Sequence, residues 1–310
     1  MNRSAPSLAN FSSTEFLAKY WQTAPCLIKQ ALPGWRSPVT GDDLAGVALE
    51  PEAEARLVRY DQKRDQWSVD YNPFDEQFFA RLPANNWTLL VQAMDLWLPE
   101  IASLKSLFHF LPTWRLEDVM VSFATPGGSV GPHFDQYDVF LLQGEGQRRW
   151  QLGDQCDADT PTIAEAPLSL LANFVPREEY MLDPGDILYV PPGWAHHGVA
   201  LTAGQTFSIG FRAPTIGDLL ADVAGELLSA PATAVYRDPA PEHWHHDLIT
   251  EAHIDAVQSM LKTLTEDRTQ LADWFARFVT RPRYEAGTTP LDERRTARLG
   301  DTVFLNGDKI

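Results

Sequence analysis

Residues 119–153 read VMVSFATPGGSVGPHFDQYDVFLLQGEGQRRWQLG, and this stretch decides the fold. Short runs rich in β-branched and aromatic residues alternate with glycine and proline turns, which is the pattern of strands joined by tight loops. The pattern continues in DILYV (186–190), in the turn PPG (191–193) and in TFSIGF (206–211). Short strands at this spacing predict an antiparallel sandwich or barrel.

On either side of this region the sequence predicts helices. Ser12 and Ser13 are suited to cap a first helix, and two more are predicted over residues 75–80 and 86–101. After Pro214 three apolar stripes at helical spacing predict a separate helical module, a structure that commonly forms an oligomer interface. The chain ends on TVFL (302–305) and the turn pair Asn306-Gly307, so either a short edge hairpin or the start of a further domain is expected there.

The amino-acid composition limits the partners and the cellular location to be expected. The 310 residues include 25 Lys and Arg against 42 Asp and Glu, a formal net charge of −17. Such a surface repels nucleic-acid phosphates, so we expect no direct nucleic-acid binding and favour a basic polypeptide partner. Cys26 and Cys156 are too few for a disulfide framework. With no signal peptide or membrane span in the sequence, a cytoplasmic location is expected.

Two short motifs suggest a metal site. In His133-Phe134-Asp135 the two polar side chains lie two residues apart, so on an extended segment they share one face. A second motif runs from Gly185 through Pro191 and Gly193 to His196, which places His196 at the start of a strand after a tight turn. Two histidines and one carboxylate with open coordination positions are typical of non-haem Fe(II) oxygenases. The alternative for the first motif alone is a hydrogen-bonded structural pair.

Arg148 is a candidate anion-binding residue. In the strand Gln147–Leu152 it shares a face with Trp150 and Leu152, so it points into the core if they do. A buried guanidinium needs an anionic partner, and a dicarboxylate co-substrate would provide one. A salt bridge to an interior Asp or Glu is the alternative. His243, His245 and His246 are assigned to a solvated loop.

These motifs carry a family resemblance. The runs 122–153, 182–200 and 207–214, with FLAKYWQTAPCLIKQ (16–30), resemble the bacterial JmjC-type ribosomal oxygenases over most of the chain. The resemblance implies Fe(II), O₂ and 2-oxoglutarate as cofactors, and hydroxylation at C3 of an arginine in the sixteenth protein of the large ribosomal subunit. It implies that His133, Asp135 and His196 are catalytic iron ligands and that Arg148 binds the distal carboxylate of 2-oxoglutarate. Ser122 matches a position near the co-substrate.

The expected fold is therefore of the α+β class. A double-stranded β-helix core of the cupin or JmjC jelly-roll type, with N-terminal helical elements, is expected over residues 1–213. A helical dimerisation region is expected over 214–281, which makes the protein a homodimer. Residues 282–310 are expected to be part of a winged-helix-like segment, although a complete winged helix needs many more residues than follow Leu299.

Three alternative functions remain at this point. A sister oxygenase would hydroxylate a histidine, or another residue of a different basic protein. A cupin-like assembly module without catalysis would keep a metal only as a structural brace. A zinc-dependent sugar isomerase of the cupin group would bind zinc and would not need an inward-pointing Arg148.

Overall fold

The computed structural model describes residues 7–229, 235–241 and 248–310. The chain forms two compact units. The first runs through Ala213 and also contains Tyr284–Glu293, and the second comprises Pro214–Arg283 with Arg294–Ile310. Each unit is described separately below.

Two antiparallel sheets form the first unit. Its strands are β1 (Cys26–Ile28), β2 (Ala55–Asp61), β3 (Gln66–Tyr71), β4 (Trp87–Val91), β5 (Leu116–Ala124), β6 (Asp138–Glu145), β7 (Arg148–Gln155), β8 (Glu178–Leu182), β9 (Ile187–Val190), β10 (Trp194–Ala200) and β11 (Gly204–Phe211). The larger sheet has eight strands in the order β1-β9-β6-β11-β5-β4-β2-β3, and the smaller has the order β10-β7-β8. The strands predicted over 119–124, 186–190 and 206–211 are confirmed as parts of β5, β9 and β11.

Three of the four α-helices in the described part of the first unit begin at a polar cap, and the fourth begins with a proline. In chain order they are α1 (Ser13–Lys19), α2 (Gly41–Ala48), α3 (Glu76–Ala80) and α4 (Pro99–Ala102), joined by 3₁₀ turns at Met94–Leu96, Ser103–Phe108 and Thr113–Arg115. The Ser12 hydroxyl accepts the amide hydrogen of Glu15 at 3.3 Å, as the sequence predicts for the cap of α1. Asp75 caps α3 in the same way, which confirms the helix predicted over 75–80.

The helix predicted over residues 86–101 is wrong. Its first part is β4, which pairs with β2 on one side and β5 on the other, and only Met94–Leu96 and Pro99–Ala102 form helical turns. Leu89 and Leu90 point to opposite faces of the sheet, and both are buried. A strand that is buried on both faces has no polar alternation, so its apolar residues mimic helical spacing. Strands β1, β2 and β3 were not predicted either.

The two faces of the eight-stranded sheet differ in what covers them. On one face Phe140, Phe207 and Phe211 belong to a large apolar cluster that includes Phe16 of α1 and Phe108. On the other face a smaller apolar cluster joins the two sheets through seven buried residues: Val139, Leu141, Trp150, Leu152, Leu182, Leu188 and Val190. The space beside this smaller cluster is the cavity described below.

The second unit combines helices with a small sheet. Its elements are α5 (Ile216–Ser229), α6 (Glu251–Glu266), α7 (Arg268–Thr280), β12 (Thr296–Leu299), β13 (Thr302–Leu305) and β14 (Asp308–Lys309). Asn306 and Gly307 have φ values of 50° and 89°, so the hairpin turn predicted there is confirmed. Among the described residues, no helix has the length and apolarity needed to cross a membrane.

Candidate metal centre

Two segments of the first unit supply the side chains of the site. His133 and Asp135 lie between β5 and β6, and His196 lies on β10. The backbones of His133 and His196 pair with each other: the His133 amide donates to the His196 carbonyl at 3.0 Å, and the reverse bond measures 2.8 Å. This reciprocal pair fixes the spacing between the two histidines through main-chain atoms alone.

The structure brings together the three residues that the sequence analysis singled out. One ligand atom from each of His133, Asp135 and His196 lies within 4.8 Å of the others. The Nε2 atom of His196 is 3.6 Å from a carboxylate oxygen of Asp135. His196 is 2 % exposed, whereas 23 % of the Asp135 side chain remains accessible. The group is therefore rooted in the protein interior and open on one side.

The hydrogen bonds of both imidazoles leave their metal-binding nitrogens free. Nδ1 of His133 lies 2.9 Å from the Gly131 carbonyl, and Nδ1 of His196 lies 2.9 Å from the Trp194 carbonyl. A carbonyl only accepts hydrogen bonds, so each Nδ1 carries a proton and Nε2 is the nitrogen that is left to face a metal. Burial and the neighbouring His133 lower the pKa of His196 to about 4, so its ring is neutral at pH 7. Two imidazoles and a carboxylate fit a divalent iron ion.

Arg148 lies in the interior, and the part of the chain that the structure describes offers it no counterion. Its side chain is 4 % exposed, Nε has no partner, and one terminal nitrogen donates to the Gly198 carbonyl at 3.2 Å. Among the described residues no carboxylate lies within 4.0 Å of its guanidinium, which argues against the interior salt bridge considered above. Burial lowers the pKa of Arg148 to about 10, so the group is still charged at pH 7. An unpaired buried cation of this kind fits an anionic ligand.

A single cavity of about 320 Å³ contains all four residues. Trp150 stands between the two halves of the site, with its ring 5.0 Å from the Arg148 guanidinium and 5.8 Å from the His196 ring. Ser122 also lines the cavity, but its hydroxyl makes only a long hydrogen bond of 3.4 Å to the Thr206 carbonyl. Tyr137, which is 42 % exposed, lines the cavity as well. The cavity thus contains a cationic side chain that can bind an anion and a three-residue group that can bind a metal ion.

The histidine beside His196 does not belong to the site. His197, next to His196, does not line the cavity, and its ring packs edge-on against Phe174 at 5.8 Å. His243, His245 and His246 lie outside the described residues.

Three polar lining residues were missed by the sequence analysis, because β2 and β4 were not predicted as strands. They are Arg56 on β2, Thr88 on β4, and Gln92, which follows β4 directly. The run Trp87–Val91, five residues of apolar or β-branched type, is the signal that could have revealed β4.

The fold and this site together define a class of protein. An antiparallel two-sheet core that surrounds two histidines, an aspartate and a buried arginine is the arrangement of JmjC-type oxygenases. A family model described as the JmjC domain matches residues 103–219, which include all four residues. The predicted α+β fold with a double-stranded β-helix core is confirmed by this match and by the structures below.

Proteins of known sequence narrow the class to one family. The ribosomal protein uL16 3-hydroxylase of Escherichia coli is 35 % identical over 323 residues, covering 96 % of this chain and 84 % of that protein. A probable ribosomal oxygenase of Haemophilus influenzae is 42 % identical over 209 residues, 66 % of this chain and 50 % of that protein. The chain belongs to the JmjC-type ribosomal oxygenases.

A solved structure agrees with this assignment. YcfD, a ribosomal oxygenase from Escherichia coli in complex with cobalt and 2-oxoglutarate, superposes with a TM-score of 0.86 at 33 % identity. The match covers 98 % of this chain and 86 % of that chain.

Proposed function

We propose that this protein is an Fe(II)- and 2-oxoglutarate-dependent oxygenase that hydroxylates C3 of an arginine side chain in ribosomal protein uL16, the sixteenth protein of the large subunit. One observation carries the proposal: a charged, unpaired Arg148 shares a cavity with an open group of His133, Asp135 and His196. The activity named for the Escherichia coli relative supports the choice of substrate.

Each residue of the site has a distinct role in this proposal. His133, Asp135 and His196 would hold Fe(II), and the group that they form opens toward the cavity. Arg148 holds the distal carboxylate of 2-oxoglutarate, and Ser122 lies beside the same co-substrate. When iron, 2-oxoglutarate and O₂ are bound, they supply the oxidising power that hydroxylates an unactivated C–H bond, with succinate and CO₂ as products. The protein contributes placement of the reactants and exclusion of water.

The charge of the protein supports a basic protein substrate. A net charge of −17 attracts a cationic ribosomal-protein segment and raises its rate of encounter, whereas it repels nucleic acid. The relatives from Escherichia coli and Haemophilus influenzae are bacterial, and bacterial ribosomes lie in the cytoplasm, which is the location we propose.

Exposed apolar side chains support dimerisation through the helical region. On α5 and α6 the exposed fractions are 72 % for Ile216, 57 % for Leu220, 52 % for Ile254 and 62 % for Leu261. Apolar stripes of this kind on surface helices suit an interface with a second copy of the chain. Residues 214–281 are accordingly proposed as the dimerisation region, and 282–310 as a winged-helix-like segment.

Mass spectrometry of purified uL16 tests the function directly. Incubation with the enzyme, Fe(II), 2-oxoglutarate and a reductant is expected to add the mass of one oxygen to one arginine, with equimolar succinate. The Asp135→Ala variant is the matched blank, and the exposed Asp154→Ala variant is the control that retains activity. An added oxygen on a histidine would favour the sister hydroxylase, and a protein that forms no succinate with any ribosomal protein would contradict an oxygenase.

A further inference from the structure

We propose that Gly193 is a positioning residue that fixes Asp135, the carboxylate member of the site, before any metal binds. The inference rests on the proposed function, since it assigns Asp135 as an iron ligand. Gly193 lies in the turn between β9 and β10, three residues before His196. It therefore links the segment that carries His196 to the segment that carries Asp135.

The main-chain hydrogen bonds of Gly193 run in two directions. Its amide donates to the carbonyl of Asp135 at 2.7 Å, and its carbonyl accepts from the amide of Cys156 at 2.6 Å. Cys156 begins the long connection between β7 and β8. Three separate segments of the chain are thus joined at one residue, and one of the two bonds ends on the backbone of Asp135.

Asp135 depends on this link more than the histidines do. His133 and His196 hold each other through two reciprocal backbone bonds. Asp135 lies two residues farther along, outside the strands of the described part of the chain, and its carbonyl is bonded to Gly193. A main-chain hydrogen bond to a metal-binding residue limits the positions that the side chain of this residue can reach. Contacts to the ligand residues tune metal affinity in this way.

Only glycine satisfies this position. Gly193 has φ of +79°, a conformation that residues with a Cβ rarely adopt. A Cβ added there would lie 2.9 Å from the Cys156 carbonyl oxygen, closer than real Cβ atoms approach backbone oxygen. Relief of this contact requires residue 193 to move away from Cys156, and its amide moves with it. The Gly193→Ala substitution is therefore expected to displace Asp135.

Titration of the metal-free protein with Co(II), followed by the visible absorption of the bound ion, tests this role. The Gly193→Ala variant is expected to bind Co(II) about 10–100-fold more weakly than wild type, the usual effect of losing an outer contact. Gly34→Ala is the matched control, because Gly34 has φ of +71° but no atom within 4 Å of an added Cβ. Cys156→Ala, which keeps the backbone amide, is expected to bind Co(II) like wild type.

The outcomes separate this inference from the proposed function. If wild type binds no Co(II), or binds it equally after His196→Ala, the proposed function is overturned. If wild type binds Co(II) and Gly193→Ala binds it within twofold, only the role of Gly193 is overturned.

Should Gly193→Ala fail to fold, hydrogen exchange of the metal-free wild-type protein decides. The Gly193 amide is expected to exchange as slowly as that of His196, because both are hydrogen bonded before metal binds. An unprotected Gly193 amide overturns the proposal.

Discussion

The two faces of the eight-stranded sheet have different roles, although the same strands contribute to both. On β6, Phe140 and Leu142 enter the apolar cluster packed against the N-terminal helices, whereas Val139 and Leu141 face the cavity side. On β11, Phe207 belongs to the apolar cluster, whereas Thr206 and Ser208 line the cavity. Neighbouring residues point to opposite faces of a strand. On β6 and β11, a residue that packs in the apolar cluster is therefore followed directly by one that faces the cavity.

The large apolar cluster thus supports the cavity from the opposite face of the sheet, while Val139, Leu141 and Trp150 of the smaller cluster line the cavity itself. The apolar face holds its rings in close contact, for instance Phe140 with Phe108 at 4.7 Å and with Tyr189 at 4.8 Å. The cavity face instead keeps buried polar groups ready for ligands. Substitutions on the two faces are therefore expected to affect different measurements, and the following predictions test that separation.

Removal of a proposed iron ligand is expected to have the largest effect. In His133→Ala and Asp135→Ala, turnover should fall by about 1,000-fold or more, because the metal supplies the chemistry, while the free energy of unfolding stays near that of wild type. Succinate formation and denaturant unfolding measure the two quantities. The exposed His109→Ala serves as the control. Retained turnover in either ligand variant would remove that residue from the metal site.

Phe140→Ala tests the apolar face. Phe140 is fully buried, and its truncation is expected to lower the free energy of unfolding by about 3–5 kcal/mol. The Co(II) affinity of the variant that remains folded should be unchanged within about threefold, because the ring points away from the cavity. Denaturant unfolding and Co(II) titration of the same sample check this. A large loss of metal affinity would show that the two faces are energetically coupled.

Arg148→Ala tests the cavity face away from the metal. Loss of a charge-assisted contact costs about 1.5–3 kcal/mol, so the KM for 2-oxoglutarate should rise roughly 10–100-fold. Co(II) affinity measured without 2-oxoglutarate should stay within about threefold of wild type. Arg177→Ala, which removes an exposed guanidinium paired with Asp154, is the control. Unchanged 2-oxoglutarate kinetics in the Arg148 variant would contradict the assignment of this residue.

Gly198→Ala tests whether the position of the Arg148 guanidinium matters, without removing the guanidinium. An added Cβ would lie 2.7 Å from Nε of Arg148 and 2.7 Å from the Trp150 ring, so the guanidinium is pushed out of its position. The KM for 2-oxoglutarate is expected to rise about 10-fold, an effect of about 1.4 kcal/mol. Gly46→Ala is the control, since a Cβ there meets no atom within 4 Å. Identical KM values for both variants would show that Arg148 adapts freely.

Ser122→Ala is expected to have the smallest effect. Its hydroxyl forms only the 3.4 Å bond to the Thr206 carbonyl, so little is lost on its removal. The KM for 2-oxoglutarate should rise by less than about threefold. A larger rise, measured beside the Arg148 series, would place the Ser122 hydroxyl in direct contact with the co-substrate.

The parts of the molecule that sequence predicted are those governed by local patterns. Strands β5, β9 and β11 follow from their composition and the turns beside them, and the cap at Ser12 follows from its position before an apolar stripe. Strand β4 was assigned to a helix because its pairing with β2 and β5, which decides its conformation, is a long-range contact. Tertiary pairing overrides local spacing in such buried runs.

The same distinction holds at the site. The spacing in His133-Phe134-Asp135 and the turn before His196 are local, and the structure places their side chains together. Whether a carboxylate lies near Arg148 depends on long-range packing of the interior, so the sequence left two alternatives open; within the described ranges none does. The bonds of Gly193 to Asp135 and Cys156 join residues 37 to 58 positions apart, and no local pattern indicates them.

The alternation along β6 and β11 also governs which changes in length the chain tolerates. Deleting or inserting one residue within either strand would move every later side chain to the opposite face of the sheet. Phenylalanines would then point into the cavity, and hydroxyl groups would point into the apolar cluster. Homologues that acquire or lose residues are therefore expected to do so in the connections between strands, where an added residue does not invert the faces of a strand. Alignment gaps confined to such loops would be the mark of this constraint in evolution.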